Sequence, residues 1–168
     1  MDMRLVKAAL AVLMIGLGAF PALAADTAPC GRGLICANAP KSVADAISAA
    51  GYKAQLGTDD VGDPKIRSAA NGYDFNIFFY DCDKGKACAG LQFQIIFADD
   101  GKNSLALANE WNRKKRFAQM SIQPDKSLRV SYDVTTKGGM TAANFADVVD
   151  WWAVMMGELR VYFKEQAS

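Results

Sequence analysis

An α+β domain with a mainly antiparallel sheet and helices packed on one face is predicted by three observations. Two strongly alternating apolar runs, residues 73–82 and 91–98, are joined by a short polar connection, Asp83-Lys84-Gly85-Lys86-Ala87, of hairpin type. Polar residues alternate with apolar ones along the strand segments, so one sheet face is wet. Segments with helical apolar spacing precede, interrupt and follow the strands, and they supply the cover for the other face.

The elements follow in chain order. Pro40 and the stretch after it predict a short helix over 41–50, with Val43, Ala46, Ile47 and Ala50 on one side. Gly51 stands where a helix end favours a residue tolerant of positive φ. Tyr52, Ala54 and Leu56 alternate with Lys53 and Gln55 as a strand. Thr58 to Pro64 is a turn, and Lys65–Ala70 returns as a weaker strand. In 73–82, Phe75, Ile77 and Phe79 share a face, and in 91–98 so do Leu91, Phe93, Ile95 and Phe97. Ser104 is placed to cap a helix running to about Arg116, and strands follow at 117–123 and 127–135. Gly138-Gly139 closes that region, and Thr141 caps a last helix reaching about Lys164. The order is helix, strands, helix, two strands, helix.

Residues 1–24 read as a secretory signal peptide. Arg4 and Lys7 precede an apolar core, Ala8–Phe20, and Ala22-Leu23-Ala24 supplies the small-residue cleavage pattern before Ala25. That core of 13 residues is short for a bilayer, which needs about 20. A cleaved, soluble, periplasmic or secreted product without stable membrane insertion is expected. Cleavage removes two of 19 basic and one of 18 acidic side chains, leaving 17 of each. That balance does not recommend nucleic acid as a partner. Residues 25–39 are rich in Ala, Gly and Pro at their start and are expected to form a loosely attached arm ahead of a domain spanning 40–168.

Two C-x5-C pairs, Cys30/Cys36 and Cys82/Cys88, accompany the export signal, so disulfides are expected rather than reactive thiols or a metal site. Cys82 and Cys88 flank the expected hairpin loop, where a staple is geometrically reasonable. Cys30 and Cys36 pair locally as the best of three connectivities.

Catalysis has little to work with. The chain has no histidine, which removes Ser-His-Asp and Cys-His sets and the commonest metal ligand. No cofactor motif or metal ligand set is expected. Asp59, Asp60 and Asp63 cluster in one turn, but the spacing is not that of a helix-loop-helix calcium site. The run Arg113-Lys114-Lys115-Arg116 complements a helix C-terminus, and Glu110 is spaced to pair with Lys114.

The last helix offers the most suggestive surface. Phe145, Val148, Val149, Trp152, Met155, Met156, Leu159 and Phe163 form an ordinary core stripe, while Trp151, Val154 and Val161 add a second apolar strip beside it. Either the domain wraps the helix, or the strip meets a partner, another envelope protein or a second copy.

Asn109-Glu110-Trp111-Asn112-Arg113, with Arg116-Phe117 close behind, resembles the YbjN-like family, described as proposed bacterial sensory-transduction regulators. Asp59-Asp60-x-Gly62-Asp63-Pro64-x-Ile66, the cysteines before Leu91-Gln92-Phe93, and Gly138-Gly139-x-Thr141 ahead of Trp151-Trp152 agree in order. The resemblance covers about residues 40–165. It implies a fold similar to type III secretion chaperones and a regulatory or protein-binding role without catalytic residues. Asn109, Trp111 and Asn112 are the positions matching the family motif. The function expected is an exported, non-catalytic protein-binding or regulatory module. A secreted carboxylate-dependent hydrolase using Asp59, Asp60 and Asp63, or an inhibitor of an envelope enzyme, are the alternatives.

Overall fold

The computed structural model describes residues 25–166. The expected signal segment, 1–24, lies outside the described residues. Among the described residues eleven elements run in the order β1 (Leu34–Ile35), α1 (Pro40–Ala49), β2 (Gln55–Thr58), β3 (Pro64–Ala70), β4 (Tyr73–Tyr80), β5 (Gly90–Phe97), α2 (Leu105–Lys114), β6 (Gln119–Ile122), β7 (Leu128–Thr135), β8 (Met140–Thr141) and α3 (Ala142–Gln166). Six strands form one sheet in the order β2-β3-β4-β5-β7-β6, and β1 pairs with β8. Each of these pairings is antiparallel. The fold is the expected α+β class, with three helices among the described residues.

Alternation decides which sheet face is covered. Ile66, Ile77, Phe93 and Val130 are fully buried, and the register sets Ile66 beside Ile77 and Ile77 beside Phe93. α3 lies over this face through Trp152, whose ring meets Phe75 at 5.5 Å and Phe93 at 5.7 Å. Val43 and Ile47 of α1 and Trp111 of α2 complete the core. Burying a side chain of this size contributes about 2 kcal/mol each. On the opposite face stand Arg67, Asn76, Gln92 and Asp133, with Gln92 Nε2 donating to Asp133 Oδ1 at 2.7 Å. Gln94 and Ser131, paired at its centre, are buried among these neighbours.

Helix ends follow the expected chemistry. Ser104 Oγ accepts from Leu107 N at 3.2 Å, and Thr141 Oγ1 accepts from Asn144 N at 3.2 Å. Gly51 has φ 88° at the exit of α1. Tyr52 N still donates to the Ile47 carbonyl there, which delays β2 to Gln55. α2 stops at Lys114 rather than near Arg116 because Lys115 turns extended.

Two differences matter. β3, expected as weak, is a full strand of seven residues, held by pairing with both β2 and β4. Its small side chains at Ser68, Ala69 and Ala70 give little hydrophobic alternation to read. The arm expected to be loosely attached is instead tied down. Ala37 N donates to Thr136 Oγ1 at 2.8 Å, Asp26 N to the Ala87 carbonyl at 2.9 Å, and β1 adds to β8. Gly139, at φ 89°, makes room for this, since a Cβ there would sit 2.6 Å from Leu34 Cδ1.

Candidate interaction surfaces

Both cysteine pairs join locally, Cys30 to Cys36 and Cys82 to Cys88. The second closes the β4–β5 hairpin, as its flanking position implied. The hairpin tip rests against the β2–β3 turn: a Cβ on Gly85 would lie 2.8 Å from the Gly62 carbonyl oxygen. In that turn Asp59 Oδ1 accepts from Val61 N at 3.0 Å and Asp63 N at 2.9 Å. Its carboxylate therefore holds the turn in shape.

The motif residues of α2 divide by what they touch. Trp111 is fully buried, donates Nε1–H to the Ala118 carbonyl at 2.6 Å, and packs on Tyr162 at 5.3 Å. Asn112 sends Nδ2 to the Met120 carbonyl at 2.9 Å and receives Met120 N at Oδ1 at 2.8 Å. Its amide thus completes the outer edge of β6 as a further strand would. Asn109 is exposed on the same helix. The basic run beyond is largely engaged. Lys114 pairs with Glu110, Lys115 with Glu158, and the Arg116 guanidinium lies over Phe117. Lys114 holds the Glu110 carboxyl below its ordinary value by hydrogen bond and charge.

The second apolar strip of α3 separates into two parts. Trp151 leans to the edge of the core, its ring 4.4 Å from that of Phe117. Val154 and Val161, two turns apart, stay 49% and 54% exposed. Glu158, bonded to Lys115, lies between them in sequence. The core stripe is as expected except at its end, where Tyr162 is buried and Phe163 is intermediate, its ring at 5.1 Å from Phe97.

Two features of this surface went unread in the sequence. Asn71-Gly72 forms the two-residue β3–β4 turn with φ of 51° and 84°, the geometry that Asn-Gly between alternating runs signals. Asn71 Nδ2 then reaches α3, donating to the Ala153 carbonyl at 2.6 Å. Phe117, which holds Trp151, carried no pattern marking it as a partner. A concavity of about 440 Å³ lies between the β5–α2 loop, α2 and the end of α3, with Phe97, Leu107 and Phe163 in its wall. Among the described residues no group of three acidic or cysteine side chains is disposed to hold a metal ion. No described helix is long and apolar enough to cross a membrane.

Residues 39–165 match the model of a family, YbjN, whose description reads "Putative bacterial sensory transduction regulator". A search of curated proteins returns no match to the chain.

Proposed function

The chain belongs to the YbjN family, and from that premise we propose that it is an exported, non-catalytic regulatory module that binds another envelope protein through α3. The observation that carries this reading is the exposure of Val154 and Val161 on one side of a helix whose other side is fully packed. Exposed apolar side chains repeated along a helix favour contact with a partner. Two local disulfides fit an oxidising compartment, which supports the exported reading. Trp151 falls outside the proposed surface, because Phe117 already covers part of its ring. A carboxylate-dependent hydrolase gains nothing from the acidic turn, where Asp59 is bonded to its own backbone neighbours. Inhibition of an envelope enzyme is one form that the binding reading can take.

The test is photo-crosslinking in cells followed by fractionation, with a photoreactive residue at position 154, 161 or, as control, 144. An adduct from 154 and 161 but not 144, recovered with the periplasmic fraction, supports the reading. No adduct, or the same adduct from all three positions, rejects it. An adduct of twice the chain mass identifies the partner as a second copy.

A further inference from the structure

The two edges of the main sheet are treated differently. The β6 edge is capped at Met120 by the Asn112 side chain, which bonds both the N–H and the carbonyl of that residue. The β2 edge pairs only with β3, and all four of its residues, Gln55-Leu56-Gly57-Thr58, are exposed. None of the four is charged or proline, the usual devices that blunt an edge.

The two faces flanking this edge differ in chemistry. On the helix-free face, Lys65 and Arg67 of β3 stand opposite Gly57 and Gln55. With Lys53 they line a shallow groove of about 410 Å³ that holds one carboxylate, Asp74. The ion pairs among the described residues lie elsewhere, at Lys41–Asp45, Lys114–Glu110 and Lys115–Glu158. Among the described residues the groove cations thus have no ion-pair partner, and Lys65 lies 5.8 Å from the Phe78 ring centroid. On the other face Leu56 is 44% exposed.

We infer that the β2 edge docks an extended segment of the partner in which acidic and apolar residues alternate, adding to the sheet as a seventh strand; this rests on the protein-binding reading above. A strand presents successive side chains to opposite faces. Its carboxylates would meet Lys65 and Arg67 while its apolar residues cover Leu56, and its backbone would bond the free edge. The acidic turn Asp59-Asp60 follows Thr58, so the carboxylates of an antiparallel segment belong in its C-terminal half, beside Gln55 and Arg67. A second copy fits less well. Pairing β2 with its own twin would line Lys65 and Arg67 of both copies along one face of a shared sheet.

The probe is a capped Val-Glu-Val-Glu-Val-Glu peptide, followed by amide chemical shifts of the folded, disulfide-bonded protein. Shifts centred on 55–58 are expected, with affinity falling roughly tenfold in Lys65→Glu/Arg67→Glu and again at high salt. N-methylating the peptide amides that face β2 should abolish binding. Absence of shifts at millimolar peptide overturns the inference, as does equal binding of the N-methylated peptide, which would mean charge attraction alone. Phosphatidylglycerol vesicles bound with the same dependence on Lys65 and Arg67 would assign the groove to a membrane surface instead. Self-crosslinking of Leu56→Cys would assign the edge to a second copy. Any of these failures leaves the crosslinking result at positions 154 and 161 intact, so the two readings fall separately.

Discussion

Asn112 and Met120 share two hydrogen bonds, the side-chain amide of one matching the backbone N–H and C=O of the other at 2.8 and 2.9 Å. A residue on the face of α2 thereby takes the place of a neighbouring strand, and the β6 edge is satisfied at Met120. Asn112→Ala removes both bonds and should lower stability by about 1–2 kcal/mol. Asn112→Asp keeps the acceptor for Met120 N but presents oxygen to the Met120 carbonyl, and should cost at least as much. Denaturant unfolding measures the loss, and faster hydrogen exchange at the Met120 amide should accompany it. An unchanged exchange rate in Asn112→Ala would show that the edge is protected by something else.

The Cys82–Cys88 bridge closes a short loop, so its loss should cost about 2 kcal/mol on the chain-entropy estimate. Replacing both residues with serine gives the comparison. Cys88 is almost fully buried, so a Cys82→Ala/Cys88→Ala variant separates the loss of the bridge from burial of a hydroxyl. Thiol titration of the unfolded, unreduced protein should find none of the four sulfurs free. Breaking Cys30–Cys36 should act locally, raising hydrogen exchange at Ala37 and along β1 and β8, since the arm is also held by Thr136 and Asp26.

How much of this was legible depends on the range of the contact. Strands β4, β5 and β7 announce themselves because Phe75, Leu91 and Val130 each sit in a run where every second residue faces the core. The β1–β8 pair leaves no such trace, because each strand has two residues and Leu34 finds Thr141 only when the whole chain has folded. On α3, helical spacing separated Val154 and Val161 from the core stripe correctly. It could not show that Trp151 meets Phe117, since that contact depends on how α2 hands the chain to β6. The same handover explains Asn112, whose polar side chain on an exposed helix position looks free until β6 is laid beside it.

Tyr162 donates its hydroxyl to the Leu107 carbonyl at 2.8 Å from a buried position against α2. Burial pushes its pKa above the ordinary value, and the nearby Glu110 charge adds to the rise. The folded state therefore holds this proton more tightly than the unfolded chain. The associated stability is present below the ordinary tyrosine pKa of about 10 and is lost as pH rises through the folded value. Burial also raises Tyr73, Tyr80 and Tyr132, so the alkaline limb should be steep. Tyr162→Phe should cost about 1 kcal/mol at neutral pH through the lost hydrogen bond and make that limb shallower. Stability measured between pH 8 and 11 checks both signs, and an unchanged slope would remove Tyr162 from the account.

Ser68 faces the core between Ile66 and Ala70, directly across from Phe75, and its hydroxyl has no hydrogen-bond partner among the described residues. A buried hydroxyl without a partner carries a desolvation cost that alanine does not. Ser68→Ala should therefore be neutral or stabilising, by up to about 1 kcal/mol, where most core substitutions destabilise. A loss above about 1 kcal/mol would mean that the hydroxyl is satisfied in solution, as by a buried water.

Trp151 and the two exposed valines should part company under substitution, although sequence spacing grouped them. Trp151→Ala uncovers Phe117, whose ring also lies 6.0 Å from Tyr132, and should destabilise by about 2–4 kcal/mol. Val154→Glu and Val161→Glu alter half-exposed positions that support no ring contact, so their effect should stay within about 0.5 kcal/mol. Partner capture should respond in the opposite way: the glutamates abolish it in a protein that remains folded. Trp151→Phe keeps an aromatic ring against Phe117 and should leave capture intact. Were Trp151→Phe to abolish capture while both glutamate variants retained it, the docking surface would lie around Trp151 and not on the outer face of α3.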